Sequence, residues 1–231
     1  LKNLTSIGAN AFARCQNLKT IEVPNNVTSI GNGAFSFCSN LTSITLPFVG
    51  ENADGSGATH FGFIFGASTY NDNNKYVPTK LKNVIIENTT SISQYAFYQC
   101  NNITNLTLPF VGENADGSGA THFGFIFGAS SYTGNYSLVP SSLDCVTITG
   151  GNKIAEKAFY ACTNLTEIIF DKNVELTEIG INAFYACSSL ISFEIPRGIT
   201  ELNSIFALCE SLERVTFADG NQVTTIGDGA F

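Results

Sequence analysis

The sequence predicts a repeat solenoid, mainly β, whose short strands form one parallel sheet. Its first support is the pattern Leu-x-x-Ile-x-Leu, which recurs with small changes from positions 18, 41, 81, 103, 143, 165, 190 and 212. A second is an Ala-Phe or Ile-Phe pair between copies, often followed three residues later by Cys. The spacings of 23, 40, 22, 40, 22, 25 and 22 residues are the third. A unit this short cannot bury its own apolar side chains, whereas stacked units bury them against each other.

Each unit is expected to contain a strand, a corner and a turn. In the strand, Ile44 and Leu46 alternate with Thr45, which predicts that the two apolar residues point into the core. Pro47 follows, and it ends the strand because proline has no N–H to donate. We interpret Gly31, in the Ile-Gly pair before Ala-Phe, as a residue that permits a sharp corner.

Composition argues against several classes of function. Lys and Arg total 11 against 19 Asp and Glu, so the net charge is -8 and the pI about 4.7. This excludes the basic surface typical of nucleic-acid binders and of proteins held on anionic lipid. No apolar run approaches the ~20 residues of a membrane span, so we expect no membrane insertion. Residues 1–231 are predicted to be one solenoid, which starts and stops inside a repeat and is therefore expected to be a piece of a longer protein.

Leu18–Cys38 (LKTIEVPNNVTSIGNGAFSFC) resembles the repeat of the BspA-like leucine-rich-repeat surface proteins. The period of 22 to 25 residues agrees with the leucine-rich-repeat range of about 20–29. The resemblance implies a right-handed superhelix with a parallel sheet on its concave face. It also implies a place on the cell surface or secretion, and a partner among host matrix, plasma or cell-surface proteins. It brings no catalytic residue, cofactor or metal ligand.

Two long repeats, 41–80 and 103–142, depart from the pattern. Thr45–Ser68 and Thr107–Ser130 are identical, whereas the loops that follow, 69–78 and 131–140, differ. Divergent loops on a copied scaffold are where binding residues are usually carried. The candidate partner-binding residues are Tyr70, Asn71, Asp72, Tyr76, Tyr132, Asn135 and Tyr136. The alternative is that these tyrosines pack back onto the solenoid.

Cysteine and histidine are expected to be structural. Six of the seven cysteines occupy one slot in successive units, which predicts a buried ladder of free thiols rather than disulfides or a metal site. Cys145 lies outside this slot and is the best candidate for a reactive thiol. His60 and His122 are one residue duplicated, so an orienting role in the loop is favoured over catalysis. The acidic loop that starts at Glu51 lacks calcium-ligand spacing, so a solvent loop is favoured over weak cation binding.

The sequence therefore favours a non-catalytic protein-interaction module, part of a cell-surface adhesin. A structural spacer that presents another domain is the main alternative. No cofactor is expected, and an enzyme is disfavoured because no nucleophile, base and orienting group can be assembled.

Overall fold

The structure, a computed structural model, describes residues 3–231 and contains short strands joined by turns. Its strands within that range are, in chain order, β1 (Ser6–Ile7), β2 (Thr20–Glu22), β3 (Ser29–Ile30), β4 (Ser43–Leu46), β5 (Asn83–Ile86), β6 (Asn105–Leu108), β7 (Cys145–Ile148), β8 (Lys153–Ile154), β9 (Glu167–Phe170), β10 (Glu178–Ile179), β11 (Ser192–Ile195), β12 (Glu201–Leu202), β13 (Arg214–Phe217) and β14 (Thr225–Ile226). Two single-turn helices, α1 (Asn73–Tyr76) and α2 (Asn135–Leu138), belong to the long repeats. Four short 3-10 helices precede them, at Phe61–Phe65, Tyr70–Asp72, Phe123–Phe127 and Tyr132–Gly134.

One parallel sheet of eight strands runs along the solenoid in the order β2-β4-β5-β6-β7-β9-β11-β13. This confirms the predicted strand in each of the eight repeats. The register is direct, so that Ile44 pairs with Val84 and Leu46 with Ile86. These four side chains are almost fully buried, as the alternation predicts.

The two-residue strands that precede the corners form a second, discontinuous set of parallel pairs, which are β1-β3, β8-β10 and β12-β14. The long repeats interrupt this set because their acidic loop replaces the Ile-Gly corner. There the backbone of Ile30 donates to the carbonyl of Glu51 at 2.8 Å, and Ile92 repeats the contact with Glu113 at 2.8 Å. Each long repeat therefore still hydrogen-bonds to the unit before it.

Phenylalanine rings form the centre of the core. The Ala-Phe turn of a short repeat contributes one ring to this ladder, as in Phe35, and the corresponding turn of a long repeat contributes two, such as Phe61 and Phe65. Phe35 lies 6.4 Å from Phe65, while Phe61 lies 5.1 Å from Phe97 of the next unit. The long repeat thus keeps the ring ladder continuous although its loop is much longer.

The cysteine slot is explained by packing and by a weak hydrogen bond. Cys38 donates its Sγ–H to the carbonyl of Phe12 at 3.2 Å, and Cys187 does the same to Phe159 at 3.1 Å. Cys is small enough to be buried and still supplies this donor to the preceding unit. Cys15 is exposed, and all seven thiols are free.

The Ile-Gly corner has a different physical basis from the expected one. Gly31 and Gly180 do not have left-handed backbone angles. A Cβ on Gly31 would overlap the backbone of Ala9, and one on Gly180 would overlap the backbone of Glu156. Glycine is needed because neighbouring units approach closely. The left-handed residues lie two before and two after the turn Phe, as in Asn10 (φ 58) and Arg14 (φ 65).

Candidate functional site

The two divergent loops share one backbone conformation. In each, a 3-10 turn that begins at a tyrosine, Tyr70 or Tyr132, leads into a single turn of α-helix. The first residue of that turn is asparagine in both loops, Asn73 and Asn135, and both side chains are buried.

Asn73 fastens the first loop to the units around it. Its Oδ1 accepts from the backbone N–H of Gly62 at 2.9 Å. Its Nδ2 donates to the carbonyls of Ala96 at 3.3 Å and Tyr98 at 3.0 Å, both in the next unit. One side chain therefore satisfies three backbone groups and sets where the loop lies.

Asn135 has the same role in the second loop, which corrects its assignment as a partner contact. It is 1% exposed, and its Oδ1 accepts from Gly124 at 2.8 Å. Its Nδ2 donates to Ala158 at 3.2 Å. Because both ends of the amide are used inside the chain, Asn135 has no surface with which to contact a partner.

The other candidates lie at the surface to different degrees. Tyr76 and Tyr136 are the most exposed tyrosines, at 45% and 66%, followed by Tyr70 at 37%. Asn71 is also exposed. Tyr132 is half-buried.

Asp72 is partly buried, and its carboxylate is used within the loop. It forms an ion pair with Lys75 at 2.7 Å and accepts from the hydroxyl of Thr69 at 3.3 Å. The hydrogen bond from Lys75 lowers the pKa of Asp72, with Thr69 adding to the effect.

Four further tyrosines, which are not among the residues predicted to contact a partner, form aromatic contacts with Tyr70, Tyr132 or each other. Tyr70 stacks on Tyr95 with ring centroids 4.6 Å apart and meets Tyr98 edge-on at 5.8 Å. We call these three residues the first tyrosine cluster. In the second tyrosine cluster, Tyr160 stacks on Tyr185 at 4.9 Å and meets Tyr132 at 5.1 Å. Ala-Phe-Tyr, repeated at 96–98, 158–160 and 183–185, was the sequence signal for three of them, whereas Tyr95 lies directly before the first copy and has no such signal.

The clusters differ at one duplicated position. Tyr95 of the first becomes Lys157 of the second, 62 residues later. The ammonium of Lys157 lies 5.0 Å from the centre of the Tyr132 ring, a cation–π geometry. Gly128 leaves room for Tyr95, since a Cβ there would lie 2.6 Å from its ring. The first cluster is therefore wholly aromatic, whereas the second contains a cation.

The histidines orient the loops. His60 Nε2 lies 3.3 Å from the carbonyl of Ala67, and its ring meets Phe63 edge-on at 6.1 Å. His122 makes the equivalent contact with Ala129 at 3.3 Å. Burial lowers the pKa of both imidazoles. No acidic or nucleophilic side chain is hydrogen-bonded to either ring within residues 3–231.

The acidic loop satisfies its own carboxylates. Asp54 accepts from the backbone N–H of Ser56 at 2.9 Å and from its hydroxyl at 2.6 Å, while Glu51 accepts from Ala58 at 3.1 Å. The hydrogen bonds from Ser56 lower the pKa of Asp54. In the part of the chain that the structure describes, no three His, Cys, Asp or Glu side chains come together in a group that could hold a metal ion.

Cys145 does not have the properties expected of a reactive thiol. It is half-buried, and burial together with the nearby carboxylate of Glu167 raises its pKa to about 11. The thiolate is the reactive form, so this environment suppresses reaction. Cys15, the first cysteine of the ladder, is the exposed thiol instead.

The model of the BspA type leucine rich repeat region matches residues 1–54, 69–115 and 132–231 in six copies. This chain belongs to that family. Leucine-rich-repeat proteins are generally protein-interaction modules and typically non-catalytic scaffolds. The family model omits 55–68 and 116–131, which contain most of the duplicated segment.

Solved structures of bacterial leucine-rich-repeat proteins are similar to the chain. A protein of T. pallidum is 18% identical over 96% of this chain and 66% of that chain, with a TM-score of 0.29. A protein of Bacteroides ovatus is 20% identical over 98% of this chain and 79% of that one, with a TM-score of 0.32. A leucine rich cell surface protein of Faecalibacterium prausnitzii is 19% identical over 93% and 76%, with a TM-score of 0.24. This chain thus spans slightly less than two thirds of the T. pallidum protein. No curated protein sequence matches it.

Proposed function

We propose that the chain is a non-catalytic protein-interaction module of a cell-surface adhesin, and that its two tyrosine clusters, together with the exposed Tyr76 and Tyr136, form a tyrosine face that contacts the partner. The observation that carries the proposal is the placement of tyrosine. All eight tyrosines lie in the two divergent loops or in the turns beside the Phe ladder, and none lies in a strand of the large sheet. Tyr is enriched at protein interfaces because it offers a large rigid surface with a polar tip.

The two long repeats are positioned to act as one surface. Between β4 and β6 lies only β5, so the loops are two rungs apart in the stack. At ~4.8 Å per rung, this is about 10 Å along the axis. A protein interface of ordinary size covers about 800 Å² per partner and spans both loops at once.

The test is binding to a panel of purified extracellular-matrix, plasma and cell-surface proteins. We expect Tyr76→Ala with Tyr136→Ala to weaken binding at least tenfold, because central tyrosines at interfaces each contribute more than about 1 kcal/mol. Both rings are exposed, so the fold should survive. Ile191→Ala, which removes an exposed apolar side chain away from the loops, is the matched control. If the double variant and the control bound the partner equally well, the proposal that the tyrosine face contacts the partner would be refuted.

A spacer is the second candidate, supported by the exact duplication of Thr45–Ser68 in Thr107–Ser130. Duplication lengthens a stack without requiring any ligand. The two functions differ in what the loops do. The test replaces the exposed residues of loops 69–78 and 131–140 with Ser. Partner binding should be lost if the chain is an interaction module, whereas a spacer should be unaffected.

A further inference from the structure

The first tyrosine cluster contains one face-to-face pair of rings. Tyr70 and Tyr95 have centroids 4.6 Å apart and ring planes inclined by 18°. Tyr98 meets both rings edge-on, at 5.8 and 5.7 Å. Face-to-face contact overlaps the π orbitals of two phenol rings, whereas edge-on contact places a C–H edge against a ring face. An unpaired electron on one ring of the pair therefore lies against the π system of the other.

The pair connects a divergent loop to the solenoid. Tyr70 begins the 3-10 turn of loop 69–78, while Tyr95 belongs to the next unit. Tyr95 has a left-handed φ of 65, which is unusual for so large a residue. Its ring needs the absence of a side chain at Gly128, where a Cβ would lie 2.6 Å from it. Backbone strain at a bulky, partly exposed residue points to a role beyond filling space.

Few other side chains in this chain compete with tyrosine for an oxidant. The sequence contains no Trp and no Met, which are the other side chains that lose electrons readily. Burial raises the pKa of the Cys100 and Cys162 thiols, so the reactive thiolate is disfavoured there. Tyr70 is 37% exposed and Tyr95 is half-buried, so an oxidant in solution reaches the pair through Tyr70.

We propose that Tyr70 and Tyr95 form a cross-linking site, at which a haem peroxidase with hydrogen peroxide joins one ortho carbon of each ring. Each phenol gives up one electron and its hydroxyl proton, and the two phenoxyl radicals form a carbon–carbon bond. The hydrogen on each bonded carbon then transfers to the oxygen of its ring, which restores both phenols. The two electrons and two protons reduce one hydrogen peroxide to two waters, so the chain loses two hydrogen atoms.

The cross-link fixes loop 69–78 to the unit that follows it, and it requires no partner protein. It also restricts the unfolded chain, as a disulfide does. The melting temperature should therefore rise by at least ~4 °C.

The second tyrosine cluster lacks this arrangement at its loop. Tyr132 meets Tyr160 edge-on at 5.1 Å, and Lys157 takes the place of the stacked ring. Loop 131–140 should therefore stay unlinked. Tyr160 does stack on Tyr185 at 4.9 Å, but both rings are half-buried, so an oxidant reaches them more slowly than it reaches the first pair.

The experiment treats the full chain with a haem peroxidase and hydrogen peroxide. Tryptic peptide 20–75, in which Tyr70 is the one tyrosine, should become joined to peptide 83–153, which contains Tyr95. Mass spectrometry should show the loss of two hydrogen atoms, and dityrosine fluorescence should appear in the monomer fraction. The yield should be independent of protein concentration, because the link forms within one chain.

Matched variants test the geometry. Tyr95→Phe keeps a stacked ring without a phenol, so the yield of joined peptides 20–75 and 83–153 should fall at least tenfold. Tyr98→Phe removes the edge-on phenol and should retain the link. Cys15→Ser removes the exposed thiol and should also retain it, because no sulfur takes part in the reaction.

The second cluster provides a comparison within the same sample. Links from peptide 158–172 to peptides 83–153 and 173–197 report the ring pairs of that cluster. Both links should form more slowly than the link of peptide 20–75. Absence of the 20–75 link in the wild-type chain, or an equal yield of it in Tyr95→Phe, would overturn the proposal. Faster linking of 158–172 would overturn it too, because face-to-face contact and exposure would then not decide the site.

Discussion

Replacing Asn73 with Ala should destabilise the first long repeat by about 2–4 kcal/mol. The side chain is fully buried and serves three backbone groups. The Gly62 N–H loses its acceptor, and a buried unpaired donor costs about 1–3 kcal/mol. The Tyr98 carbonyl loses a donor too, but it is partly buried and counts for less. The Ala96 carbonyl still accepts from the Phe61 N–H at 2.8 Å, so losing its hydrogen bond from Asn73 contributes little.

The equivalent Asn135→Ala should cost about 1 kcal/mol less than Asn73→Ala, because Asn135 has one hydrogen bond fewer. Urea unfolding of each variant gives the free-energy difference, and exchange of the Gly62 amide reports the local effect. The control is Asn74→Ala, an exposed residue of the same helix. An Asn73→Ala variant within about 0.5 kcal/mol of this control, the usual range for surface substitutions, would refute the argument.

Three further outcomes follow from backbone strain, buried imidazoles and thiol environment. Ala161→Gly should raise the free energy of unfolding by about 0.5–1 kcal/mol, because Ala161 has a left-handed φ of 53 that glycine adopts without strain. Thermal unfolding measures this difference. Burial lowers the pKa of His60 and His122 below 6.5, so the neutral form is favoured in the folded state. The contribution of the neutral imidazoles to the free energy of unfolding is therefore fully present above pH 6.5 and falls as the pH drops below it. In thermal melts at several pH values, the His60→Gln, His122→Gln double variant should lose this fall in melting temperature. Iodoacetamide at pH 8 should alkylate Cys15 well before Cys145, as peptide mapping would show, because burial raises the pKa of the latter to about 11.

The fold follows from the sequence because repeat spacing and alternation are local signals. The eight strands, their order and the inward direction of residues such as Ile44 depend only on the recurrence of one short pattern. The basis of the Ile-Gly corner was not predictable in this way. At Gly31 the constraint comes from the backbone of Ala9, 22 residues earlier, and appears only when the units are stacked.

The candidate site was predicted in part, and Asn135 shows why. Asparagine in a polar loop is usually a turn or surface residue, so composition places it outside. Asn73 and Asn135 are, however, the same residue 62 positions apart in two loops that keep only this Asn, the first Tyr and the final Val-Pro in common. Identity between copies here reflects contact with the shared scaffold. Tyr76 and Tyr136 occupy positions that differ between the copies, and both are well exposed.

Periodicity also did not predict the single-residue pairing between β9 and β11, Ser192 with Glu167. An apolar residue at an inward position satisfies the pattern whether it is Val215 or Phe193, since alternation depends on polarity and not on volume. Close packing makes the difference in volume decisive, because a core with few voids transmits an added ring to its neighbours. The repeat pattern therefore predicts which way Phe193 points, while its packing against the rings of Phe184 and Phe206, 4.9 Å from each, appears only in the stacked structure.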